Sequence, residues 1–131
     1  MRLTVFGATG GTGRQLVRLA RAGGHEVVAV VRTPQTVEGI DGVVADVFDY
    51  RDVYADLECM EQVLAAGRAD WTVVRPPYLT DGPATGAYRS ALEANVPGGS
   101  ISRADLARAL LDVLADPASV RHAIGVARAA A

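Results

Sequence analysis

Residues 6–14 read FGATGGTGR, with Gly7, Gly10 and Gly13 spaced three apart directly behind a run of apolar residues. That spacing suits a turn that lays bare backbone N–H groups against phosphate oxygens, where a side chain would stand in the way. Gly7 permits a sharp turn off a strand, Gly10 lets the backbone approach a pyrophosphate, and Gly13 lets a helix pack tightly on the strand end. The helix start then offers free N–H groups and the positive end of its dipole to the anion. A glycine-rich turn that merely links a strand to a helix has the same letters, so the flanking elements must decide. A phosphate loop of the lysine-bearing type is excluded, because Arg14 follows Gly13 and the chain contains no lysine.

Arg32 is the second chemical signal, standing at the end of the apolar run EVVAVV. An acidic residue there would accept ribose hydroxyls, whereas an arginine suits a 2′-phosphate, so Arg32 favours NADP(H) over NAD(H). Asp46, at the end of GVVADV, either borders an adenine pocket or opens the next turn. Arg75 and Tyr78 follow the strand-like WTVV, at the carboxyl end where open α/β sheets bind ligands. They are the weak candidates for shaping a reactive pocket, against a plain reading in which Arg75 pairs with a carboxylate such as Asp81 and Tyr78 packs under a loop. For Tyr54 as a general acid, Glu58 four positions on would raise the phenol pKa and oppose the task, so a helix-surface tyrosine covering the sheet is the better reading. His25, His122 and Cys59 share no metal-ligand spacing, and Cys59 lies among Leu57, Met60 and Val63 as a small hydrophobe.

The elements around the glycines fit the phosphate reading. Leu3, Val5 and Phe6 make a short strand, and from Thr12 the residues Leu16, Val17, Leu19 and Ala20 form one helical face that Gly23 and Gly24 end. Glu26 to Val31 and Gly42 to Val47 read as buried strands of a parallel sheet. Arg51 to Ala66 has a helical stripe of Val53, Leu57, Met60, Val63 and Leu64. Trp71 to Val74 is a strand stopped by Pro76 and Pro77, Ser102 caps a helix over Arg103 to Leu114 with Asp105 as its box partner, and Ala123 to Ala127 adds a further strand. Residues 79–100 read as a long loop, and the alanine tail 128–131 as frayed.

The sequence resembles the atypical short-chain dehydrogenase group, in its NAD(P)H-binding, NmrA-like branch, through VFGATGGTGRQLV, VVAVVR, VADVFD, WTVVRPPYLTDGP and SRADLARALLDVL. The resemblance implies NADP held by Gly7, Thr9, Gly10, Gly11, Thr12, Gly13 and Arg32, with Asp46 and Val47 against the adenine, and an Arg75-to-Leu79 loop facing nicotinamide and substrate. It departs from the family in the middle, where VADVFDY runs almost directly into RDVYADL and two strand-helix units are missing.

The expected fold is a single α/β domain over residues 1–131: an abbreviated Rossmann-like, three-layer fold with a parallel sheet of about four to five strands and helices on both faces. If the third strand is followed by a crossover to the far side of the first, the Arg51 helix and Trp71 strand fill the fourth place of a 3-2-1-4 order; a strand-sharing homodimer is the rival. Thirteen basic against 15 acidic residues give a net charge of -2, which argues against nucleic acid and membrane surfaces as partners. One cysteine and no apolar leader lead us to expect a cytoplasmic setting. Three functions follow: a reduced NADP-dependent oxidoreductase acting on a small quinone, flavin or carbonyl; a non-enzymatic NAD(P) sensor; or a deletion remnant with weakened binding.

Overall fold

A computed structural model describes residues 1–31, 35–44 and 53–130. It opens with strand β1 (Arg2–Val5), helix α1 (Gly11–Ala22) and strand β2 (Glu26–Val31). β1 and β2 pair in parallel, Leu3 opposite Val27 and Val5 opposite Ala29. Such a pair needs a crossover, and α1 provides it by burying Val17 and Ala20 against the strands. A small hairpin of β3 (Thr36–Val37) and β4 (Ile40–Asp41) follows, and then β5 (Val43–Val44), parallel to β2. The hairpin is an addition to the elements read from the sequence; its turn needs positive φ at Glu38 and Gly39.

Helix α2 (Val53–Ala66) leads to β6 (Thr72–Arg75). Its last turn holds no basic residue, and the Arg121 guanidinium does that work from a distance, donating to the carbonyls of Ala65, Gly67 and Ala69 at 3.2–3.4 Å. Of the expected apolar stripe, Met60 and Val63 are exposed.

The second half corrects the expectation of a long loop. Residues 79–100 fall within or between β7 (Tyr78–Thr80), β8 (Tyr88–Leu92) and β9 (Ser100–Ser102), which leads into helix α3 (Arg103–Ala115). A 3₁₀ turn (Pro117–Ser119) and β10 (His122–Arg128) close the chain, so Arg128 belongs to a strand and not to a frayed tail. β10 pairs parallel to β6 and antiparallel to β8, while β7 pairs parallel to β9.

The architecture is α/β and Rossmann-like, with five strands of the expected parallel sheet (β1, β2, β5, β6 and β10) in place. Among the described residues they form two ladders, β1-β2-β5 and β6-β10-β8, where a single 3-2-1-4 order was anticipated. Each ladder has its own apolar cluster. Val5, Ala8, Val17 and Val37 centre the first, and Ile101, Leu106, Ile124 and Val126 the second. α1 and α3 lie side by side across the seam, and Leu111 of α3 packs into the first cluster. No described helix is long and apolar enough to cross a membrane.

Asp105 ties the segment ahead of β8 to the start of α3 within the second half. It is 2% exposed, and its carboxylate accepts from the Thr85 N–H at 2.9 Å, the Gly86 N–H at 3.0 Å, the Thr85 hydroxyl at 2.8 Å and the Ser102 hydroxyl at 2.9 Å. Burial alone would raise its pKa, but these donors outweigh burial and hold the carboxyl below the usual 3.8. The folded-state pKa is thus depressed: the stabilisation is complete above the unfolded value near 3.8 and is lost as pH falls through the lower folded value. Asp105→Asn, which turns an amide group toward these donors, should cost about 1–3 kcal/mol at neutral pH. Thermal melts should also show a flatter loss of stability below pH 4 for the variant than for the wild type; equal slopes would remove Asp105 from the acid response.

Candidate functional site

The glycine turn caps the carboxyl end of β1. Gly7 takes φ +66°, the left-handed region, and the Gly10 N–H closes the turn onto the Gly7 carbonyl at 3.0 Å. α1 then starts with its first bond, Arg14 N–H to the Gly10 carbonyl, at 2.9 Å. Arg14 also folds back, its Nε donating to the Thr9 carbonyl at 3.0 Å, so the turn is tied to the helix it feeds. A Cβ on Gly13 would lie 2.2 Å from the Gly7 carbonyl oxygen and 2.9 Å from the Ala8 Cα. The helix therefore approaches the strand end at a distance only glycine permits.

The two helices of the seam begin in opposite ways. α3 is sealed: Ser102, its N-cap, accepts the Asp105 N–H at 3.0 Å and donates to the Asp105 carboxylate. α1 is open, because its N-cap is Gly10, no side chain caps it, and its first turn contains no acidic residue. Uncapped N–H donors at a helix start are the groups that hold phosphate in nucleotide-binding turns. Gly7, Thr9, Gly10, Gly11, Thr12 and Gly13 are thus brought together as one cradle whose chemistry fits a pyrophosphate.

The remaining expected residues divide. Arg32, Asp46 and Val47 lie outside the described residues. Arg75 ends β6, where its guanidinium makes a two-point ion pair with Glu61 of α2, Nε to Oε1 at 3.1 Å and Nη2 to Oε2 at 2.5 Å. This hydrogen bonding lowers the Glu61 pKa and raises that of Arg75. The partner anticipated for Arg75, Asp81, belongs instead to Arg103, at 2.9 Å. Tyr78 is 76% exposed at the start of β7, not packed beneath a loop. His122 Nδ1 lies 2.8 Å from the Val120 carbonyl, and the described residues hold no His, Cys, Asp or Glu group fit for a metal ion.

Two features had little signal in the sequence. Tyr88 reaches the Asp112 carboxylate at 2.8 Å, and burial followed by that hydrogen bond pushes its phenol up to about 12, too weak an acid for proton transfer near neutrality. A cavity of about 250 Å³ opens beside the glycine turn, lined by Gly11, Arg14, Arg18, Glu38, Asp81 and Arg103 among others. Its walls come from segments far apart in the chain, which no local spacing announces.

Fold and cradle together define a Rossmann-type, dinucleotide-binding class of protein. The chain belongs to the NAD(P)H-binding family, matching it over residues 7–53 and 42–117. Among solved structures it is similar to the oxidoreductase YlbE of Lactococcus lactis, with a TM-score of 0.77, 13% identity, and 98% of this chain and 91% of that chain covered. A Rossmann-fold NAD(P)-binding family protein of Shigella flexneri gives 0.73 at 15% identity, covering 97% and 93%. The anaerobillin reductase ChuY of Escherichia coli O157:H7 gives 0.69 at 18% identity, covering 98% and 97%. No curated protein matches the chain.

Gly13 and Gly10 should separate folding from binding. Gly13→Ala drives a Cβ into backbone and should destabilise the protein by about 2 kcal/mol or more. Gly10→Ala, whose Cβ would sit an acceptable 3.4 Å from the Gly7 oxygen, should melt near the wild type and yet bind nucleotide worse. A Gly13→Ala protein as stable as wild type would contradict the close approach.

Proposed function

We propose that this protein is an NADP(H)-preferring oxidoreductase of the atypical short-chain dehydrogenase type, NmrA-like in branch, working on a small quinone, flavin or carbonyl acceptor. The observation that carries the reading is the uncapped, acid-free start of α1 behind the Gly7-Gly10-Gly13 turn, in a chain of the NAD(P)H-binding family. Bound NADPH would supply hydride, so that the chain's own residues need only hold the dinucleotide and orient the acceptor. Arg32 is assigned the 2′-phosphate, and Asp46 and Val47 the adenine. Tyr78, exposed at the carboxyl end of the second ladder, is assigned to the acceptor side. Arg75 is assigned a positioning role, since its guanidinium already anchors α2 through Glu61.

The family match falls in two overlapping stretches, which supports an ancestry in which the middle strand-helix units were lost. The same loss favours a second reading, a cofactor-binding sensor without turnover. Its specific support is that the chain has no lysine and that the Tyr88 phenol is pushed up to about 12. We place the protein in the cytoplasm on its single cysteine, and regard a homodimer as the state that would cover Met60 and Val63.

Calorimetric titration with NADPH, NADH and 2′,5′-ADP tests the reading. NADPH should bind about tenfold or more tightly than NADH, one charge-assisted contact to the 2′-phosphate being enough for that ratio. NADPH binding clearly tighter than 2′,5′-ADP supports the reductase, and equal binding of the two supports the sensor. No binding of any of the three would defeat both.

A further inference from the structure

The geometry points to Arg103 as a second phosphate ligand of the glycine-turn site, paired with Asp81 until a dinucleotide's pyrophosphate takes that carboxylate's place. The inference rests on the dinucleotide reading above and adds to it a residue from the far end of the chain.

Arg103 is the first residue of α3, and its side chain lies across Gly11. A Cβ at Gly11 would stand 2.6 Å from the Arg103 Cδ and 2.9 Å from its Nε. The guanidinium is therefore laid over the open start of α1, in the space that a side chain at position 11 would fill. Its salt bridge to Asp81, 2.9 Å from Nε to Oδ1, is unequal: the Arg103 side chain is 32% exposed and the Asp81 side chain 87%. A carboxylate that exposed exchanges readily for a better-placed anion, because an ion pair in water gains little. A phosphate set against Arg103 and the α1 N–H groups together is such an anion.

Asp81 does not stand there by accident of a flexible loop. The segment from Asp81 to Ala87 is fastened at its other end by the Asp105 carboxylate, through Thr85 and Gly86. Both fastening residues, Arg103 and Asp105, belong to the first turn of α3. One helical turn thus carries the phosphate ligand and the strap that holds its stand-in. Arg14 and Arg18 line the same cavity beside the carboxylates of Glu38 and Asp81, so three arginines face two acids there. Arg14 and Arg18 are already engaged, with the Thr9 carbonyl and the Gln15 side chain. Arg103 is the one whose partner is a highly exposed carboxylate.

The experiment is titration of wild type, Arg103→Ala and Asp81→Asn with NADPH and with NADH, the latter by displacement of NADPH, alongside thermal melts. Arg103→Ala should weaken both dinucleotides by the same factor of about ten, since both carry the same pyrophosphate. Asp81→Asn should tighten both by about twofold to fivefold by removing the competing carboxylate, a gain that misfolding cannot produce. A selective loss of NADPH in Arg103→Ala would assign the residue to the 2′-phosphate and overturn the inference. So would unchanged affinity in Arg103→Ala, or unchanged or weaker affinity in Asp81→Asn, while wild type still binds. Failure of wild type to bind either dinucleotide would overturn the underlying reading and this inference with it.

Discussion

The Asp105 carboxylate is the contact on which the second half of the molecule depends. A carboxylate buried to 2% exposure is tolerable only when donors replace its water, and here they come from Ser102, Thr85 and Gly86. Satisfying that one group therefore does three things at once. It seals the start of α3, it pins the segment ahead of β8, and it brings Asp81 to Arg103 beside the glycine turn. Local helix capping and long-range architecture are here the same set of hydrogen bonds.

The contrast with α1 shows what the sequence does with a helix start it intends to leave open. Ser, Thr, Asp or Asn at position 10, or an acid in the first turn, would have satisfied the N–H groups internally. Glycine at the cap, with Thr12 and no carboxylate in that turn, leaves them to a ligand. The close approach of Gly13 to the Gly7 carbonyl then aims the helix along the strand end and fixes where those donors point. Stability is given up at this terminus and recovered through Val17 and Ala20, buried against the sheet.

The legible parts of the sequence were those whose information is local. The β1-α1-β2 unit follows from an apolar strand, a helical stripe and a terminating Gly23-Gly24 pair, and α3 from Ser102 with Asp105 three residues on. What could not be read is what pairs across long separations. β7 and β8 are short, set among Pro, Gly and Asp, and acquire strand geometry only from β9 and β10, which come later in the chain. The carboxylate that pairs with Arg75 is illegible for the same reason: Asp81 is nearer in sequence, but α2 lays Glu61 against the strand end. The contact of Arg103 with Gly11 is longer still in reach, and nothing in either segment alone implies it.

That contact also bears on how the two ladders hold together. Among the described residues β1 pairs with β2 and β6 with β10, so hydrogen bonding within the sheet does not join the halves. What does join them is α1 lying along α3, with Leu111 reaching the first apolar cluster. The glycine turn belongs to one half and Arg103 to the other, which places the cavity at the seam. An anion bound there would bond to both halves and would add to their association what sheet pairing among the described residues does not give. Ligand binding and the docking of the two ladders are then thermodynamically linked: whatever favours one must favour the other. A nucleotide site at such a junction is more than a passenger on the fold, since a phosphate held there would bond to both halves.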